Sequence, residues 1–152
     1  MNSPTEVVKA YFDAWDSHDT NAILETLTPD GTYSDPVGGE NLSGQVYADY
    51  ANSLFSAFPD LKLELISNIV ASNGMVAAPW LLFGTHKGPV GDFQPTNRAI
   101  TLPGCDFITV ENGKVKVESF LGTGGISSID SQLLVFIFHL LTYSYRIVKS
   151  SK

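Results

Sequence analysis

Cysteine is nearly absent: Cys105 is the only one among 152 residues. The chain can close no disulfide within itself, and a thiol that stays reduced suits a reducing, cytoplasmic compartment. Positive charge is scarce as well. Nine Lys and Arg stand against 16 Asp and Glu, for a net charge of −7. A phosphate backbone calls for a basic face, so nucleic acid is not an expected partner. An anionic membrane surface is disfavoured for the same reason. His18, His86 and His139 show no metal-ligand spacing, and no metal site is expected. No phosphate loop, dinucleotide fingerprint or nucleophile elbow is present, and the GTGG at 122–125 is too short to mean phosphate binding. The N-terminal MNSPTEVV lacks a basic region followed by an apolar run, so no secretion signal is expected. One long apolar stretch exists, LLVFIFHLLTYSYRIV at 133–148, but its 16 residues fall short of the ~20 a spanning helix needs. It is expected to complete the core or a subunit interface rather than to anchor a membrane.

What is there reads as a globular domain. Hydrophobic residues make up 43% and charged residues 16%, enough to fill a core and too few charges for a disordered chain. Ser3, Pro4 and Glu6 form a capping box that opens a helix with Val8, Tyr11, Phe12 and Trp15 on one face. A short second helix starts at Asp19 or Thr20 and is expected to stop at Pro29 and the Asp30-Gly31 turn. A strand follows in TYSDPVGG (32–39). A third helix starts from Ser43 with the stripe Val46, Tyr50, Leu54 and Phe58. The period then becomes two. Long strands are expected from Leu61 to Ile69, Met75 to His86, Ala99 to Glu111 and Lys114 to Leu121. Asn73-Gly74 and Asn112-Gly113 are type I′ hairpin signals. The order predicts an α+β fold, three helices on one face of a strongly curved, mostly antiparallel sheet. Residues 1–123 make one domain, with 124–152 as an apolar extension.

Three residues stand out by their neighbours. Asp35 shares a strand face with Tyr33 and Val37. It either caps an Asx-type turn before Pro36 or is a carboxylate kept in an apolar setting for use. Asp106 shares its face with Ile100, Leu102, Ile108 and Val110. An ionised carboxylate there is costly, so it is paired or protonated, unless a bulge at Pro103-Gly104 turns it outward to water. Tyr11 lies on the apolar stripe of the first helix, where a buried phenol needs a partner. His86 ends a strand on the face of Trp80 and Leu82 and either meets a ligand or ties down the loop after it.

The order of elements resembles the nuclear-transport-factor-2-like superfamily of conical α+β domains. The residues are most similar to its ketosteroid isomerase and SnoaL-like polyketide cyclase branches. TEVVKAYFDAWDSHD resembles the first helix, in which the isomerases carry a tyrosine at the place of Tyr11. TYSDPVGGENLSG resembles the stretch with the catalytic base, matching Asp35. LPGCDF resembles the strand with a protonated aspartate, matching Asp106, and NGKVKVESFLG resembles the closing strand. GTHKGPVGDFQPTNRAI is closer to the cyclase branch. That branch has an acid on the closing strand where this chain places Phe120, with Glu118 the nearest alternative.

The resemblance implies proton transfer next to a carbonyl, without cofactor, on a hydrophobic small molecule. Asp35 would be the base, with Tyr11 and Asp106 hydrogen-bond donors to the enolate oxygen. Trp15, Tyr33, Phe58, Trp80, His86 and Phe120 would supply the walls of the substrate pocket. Two alternatives stand beside this: an aldol-type cyclase or hydrolase using Asp106 and His86, and a non-catalytic binding or dimerisation module. A homodimer is expected, since a curved sheet leaves an outer face to cover.

Overall fold

The computed structural model describes residues 2–35, 37–67, 69–70 and 72–121. The extension from 124, with its apolar stretch, lies outside the described residues, as does the Phe120 side chain. Helix α1 spans Pro4–Asp16 and begins as its sequence dictates. The Ser3 backbone N–H donates to Glu6 Oε2 at 2.6 Å, and the Glu6 N–H donates back to Ser3 Oγ at 3.3 Å. Val7, Val8, Tyr11, Phe12, Ala14 and Trp15 are buried, so this face of α1 is core. Helix α2 spans Thr20–Thr26, capped by Asp19, and α3 spans Gly44–Ala57 after Ser43.

The α+β architecture is three helices on a mixed, mostly antiparallel sheet. The strands are β1 (Leu27–Asp35), β2 (Gly39–Leu42), β3 (Lys62–Leu65), β4 (Ile69–Val70), β5 (Met75–Thr85), β6 (Ala99–Glu111) and β7 (Lys114–Leu121). Their order is β2-β1-β7-β6-β5-β3, with β4 also on β5. The pairs are antiparallel except β1 with β7, which run parallel. Both expected hairpin turns carry positive φ at Asn and Gly, 67° and 75° at residues 73–74 and 52° and 74° at 112–113. Asn and Gly reach that region at least cost.

Three sequence expectations need correction. The first strand starts at Leu27, so Pro29 and Gly31 lie inside it; its pairing with β7 shifts register between Leu27 and Thr32, where the proline and glycine are absorbed. The stripe of α3 fails at its first residue: Val46 is 62% exposed and Tyr47, Ala48 and Ala51 are buried, while Tyr50, Leu54 and Phe58 pack into the core as expected. The strand expected from Leu61 to Ile69 is two short pieces, β3 and β4.

The core lies between α1 and the inner face of the sheet. Val8, Tyr11 and Trp15 meet Val76, Ala78, Trp80, Ile108 and Val115 there. Each fully buried aliphatic side chain in it is worth about 1.5–3 kcal/mol. A second cluster, Ala57, Phe58, Leu61 and Val90, fills the far end.

Candidate active site

The site is built on the row of the sheet that holds Asp106. The pairing of β5 with β6 runs from Met75↔Thr109 to Thr85↔Ala99 without a shift, so no bulge at Pro103-Gly104 turns Asp106 outward. Its face is the inner one, and the side chain is buried at 7% exposure beside fully buried Ile108. Asp106 pairs with Phe120 on β7, and β7 pairs with β1 through Tyr33↔Glu118 and Ser34↔Ser119. The next step of that register sets Asp35 against Phe120. Asp35 and Asp106 therefore share one row, with the backbone of β7 between them. Two strand spacings make their Cα separation about 10 Å.

Asp35 is held by four donors. Tyr33 Oη donates to Oδ2 at 2.7 Å, and Tyr50 Oη donates to the same oxygen. The Val37 N–H donates to Oδ1 at 2.7 Å, joined by the Gly38 N–H. Of the two readings posed by the sequence the turn is present, while Val37, expected to share the strand face of Asp35, is exposed beyond the end of β1. The backbone closes an Asx-type turn on one oxygen while aromatic hydroxyls meet the other. Gly38 is required because the Tyr50 ring lies 2.9 Å from where a Cβ would stand. Burial, and then the Asp35 carboxylate, push the Tyr50 phenol well above its ordinary range, so it stays a donor.

An aromatic ladder joins this carboxylate to α1. Tyr33 stacks on Tyr47 with ring centroids 4.6 Å apart. Tyr47, fully buried, accepts from Trp15 Nε1 at 3.0 Å and lies 2.5 Å from Tyr11 Oη. Tyr47 and Tyr11 share a hydrogen bond in which either hydroxyl can be the donor. Trp15, Tyr47 and Tyr11 thus belong to one buried hydrogen-bonded network. Tyr47 was missed in sequence because the expected stripe of α3 ran through Val46. Buried Tyr11 and Trp15 were the available signal, since both need polar partners from a facing helix.

The expected wall residues divide. Trp15, Tyr33 and Trp80 are buried in the main core cluster with Tyr11. Phe58 and His86 are not gathered with them: Phe58 belongs to the far cluster and stacks on His86 at 5.3 Å. His86 stands eight residues along from Ala78, the partner of Asp106, which is about 26 Å of strand. Asp106 and His86 are thus not brought together as an acid–base pair. His86 instead pins the following loop. Its ring Nδ1 accepts from the Thr96 N–H at 3.3 Å, its own N–H donates to Arg98 O and its carbonyl accepts from Asn97 N–H, both at 2.9 Å. Among the described residues, no group of His, Cys, Asp and Glu is placed to hold a metal ion, and no helix is long and apolar enough to cross a membrane.

Solved structures of the same shape are numerous. A protein from Jannaschia sp. CCS1 assigned to the SnoaL-like polyketide cyclases is 21% identical, with a TM-score of 0.69 over 78% of this chain and 83% of its own. A protein of ketosteroid isomerase-like fold from Catenulispora acidiphila DSM 44928 is 17% identical, with a TM-score of 0.67 over 81% and 88%. SalBIII, an epoxide hydrolase/cyclase-like enzyme of pyran ring formation in the polyether salinomycin, is 22% identical, with a TM-score of 0.67 over 80% and 91%. At these identities the likeness is one of fold. No curated protein matches the chain. The model of the SnoaL-like polyketide cyclase family matches residues 5–119, the span that carries both carboxyls and the aromatic ladder, and the chain belongs to that family.

Proposed function

We propose that the chain is an enzyme that moves a proton next to a carbonyl of a hydrophobic small molecule, of ketosteroid isomerase-like type. The observation that carries this is the shared row of Asp35 and Asp106 beneath the aromatic ladder. One carboxylate lies among hydroxyls and amides, the other in an apolar setting beside Ile108. Such pairs divide acid and base roles by environment. Asp35 takes the proton from the carbon, and the electron pair moves to the carbonyl oxygen. Tyr11 and Asp106 donate hydrogen bonds to the enolate that forms, in a site lined by Trp15, Tyr33 and Trp80. The protonated Asp35 then returns the proton at a second carbon. The membership of the chain in the cyclase family favours a second fate of the same enolate. Its carbon attacks another carbonyl of the substrate, a C–C bond forms, and the alkoxide takes the proton from Asp35.

A β,γ-unsaturated ketosteroid tests the first fate through ultraviolet absorbance of the conjugated product. A 1,5-diketone tests the second, since aldol closure and loss of water give an absorbing cyclohexenone. Asp35→Asn is expected to lower the rate about 10³-fold, the contribution of a positioned base. A rate no greater than buffer on both substrates, or an unchanged rate in Asp35→Asn, overturns the reading.

A further inference from the structure

A carboxylate offers about four lone-pair positions, and at Asp35 all four are taken. The amides of Val37 and Gly38 hold Oδ1, and the hydroxyls of Tyr33 and Tyr50 hold Oδ2. A base with no vacant position can accept no proton from carbon. One donor must therefore leave when substrate arrives.

The four are not equally free to do so. The two amides belong to the turn that Asp35 itself closes. Tyr33 is two residues away on the same strand, 8% exposed and stacked on Tyr47. Tyr50 comes from α3, an element separate from the strand and turn that carry the other three donors. Its side chain is half-buried, with the hydroxyl end buried enough to hold the phenol above its ordinary range, and Cε2 and Cζ of its ring lie beside Gly38, the residue without a side chain. We infer that Tyr50 is a positioning residue that gates Asp35: its hydroxyl occupies the carboxylate position that substrate needs and yields it on binding. The inference rests on the reading of Asp35 as base. In the empty site Tyr50 fixes the carboxylate and keeps it from water. In the filled site the ligand, a hydrophobic ketone or its enol, takes over Oδ2 while Tyr33 keeps its hold.

The probe is 2-naphthol, a flat apolar phenol whose hydroxyl can replace that of Tyr50 on Asp35. Titration calorimetry compares the parent with Tyr50→Phe and Tyr33→Phe, which keep their rings. Removing the competing donor is expected to tighten naphthol about tenfold in Tyr50→Phe, since a hydrogen bond to a charged group no longer has to be exchanged. Tyr33→Phe is expected to bring no such gain. Equal or weaker binding by Tyr50→Phe, or no binding by either the parent or Tyr50→Phe, overturns the inference. A parent crystal soaked with naphthol gives a readout that needs no variant. The expected result is the naphthol oxygen on Asp35 and Tyr50 Oη out of reach; naphthol bound with Tyr50 still bonded to Asp35 overturns it. Neither readout needs turnover. A failed isomerase or cyclase assay therefore counts against the proposed reaction, and a failed displacement counts against the gate.

Discussion

Tyr47→Phe deletes one oxygen from the fully buried centre of the aromatic ladder. The ring stays, and with it the stacking on Tyr33 at 4.6 Å. What is lost is the acceptor of Trp15 Nε1–H, 3.0 Å away, and a partner of Tyr11 Oη, 2.5 Å away. Trp15 is 5% exposed, so water cannot take over. An orphaned buried donor costs about 1–3 kcal/mol, and losing the Tyr11 bond adds about 1 kcal/mol. The variant should therefore be about 3 kcal/mol less stable. For a chain of this size that is a fall in Tm of about 9 °C. Urea unfolding followed by tryptophan fluorescence measures it, with Trp15→Phe and the double variant closing a thermodynamic cycle. The two changes should be coupled by at least about 0.5 kcal/mol, because they remove the two ends of one bond. A loss below about 0.5 kcal/mol in Tyr47→Phe, or strict additivity in the cycle, refutes the network. Activity should fall alongside stability if Tyr11 donates to the enolate, since its hydroxyl loses the neighbour that positions it.

The remaining predictions are independent of one another. Stability should decline as pH rises above about 10, the ordinary Tyr value, because the Tyr50 phenol is held above that value in the fold by burial and by Asp35. The raised group favours the folded state below its unfolded value, and that advantage is lost at higher pH. Tyr50→Phe should flatten this limb in alkaline urea titrations. Gly88→Ala should cost about 2 kcal/mol, because its Cβ would lie 2.7 Å from Ser56 O and 3.0 Å from Ala57 Cα, both backbone atoms that cannot swing aside. Thermal melting reads it, and an unchanged Tm refutes the contact. Cys105 should react with iodoacetamide at pH 8.5 more slowly than a free thiol, chiefly because burial pushes its thiol above the usual range. A rate equal to that of a free thiol refutes that cause.

The parts of this fold legible in the sequence were those with a local physical cause. The capping box needed only Ser3 and Glu6, and the positive-φ turns needed only Asn-Gly. The inner face of β6 followed from strict alternation, which is why Asp106 could be placed on it. What failed was set by tertiary context. Val46 was drawn into the stripe of α3 because it fits a helical spacing with Tyr50, Leu54 and Phe58, yet it is exposed and Tyr47, one residue on, is the side chain that meets α1. Pro29 and Gly31 read as breakers, yet a register shift against β7 tolerates both. His86 and Asp106 lie on one face of neighbouring strands, and one-dimensional periodicity could not show the eight residues that separate them along that face. The row linking Asp35 with Asp106 was invisible for a related reason: it depends on a parallel pairing that no short-range signal announces.

That pairing has a consequence for how the protein is made. Tyr33 meets Glu118, 85 positions later in the chain. Neither carboxyl has its row-mate until β7 slides between β1 and β6. Contacts of such long sequence separation carry a large loop-closure entropy and form slowly. Every earlier compact state holds Asp35 on a strand with one open edge and Asp106 on a hairpin that lacks its neighbour. The acid–base chemistry proposed for this row therefore belongs to the completed sheet alone. A nascent chain that has not yet released its closing strand from the ribosome holds both carboxyls without the geometry that joins them.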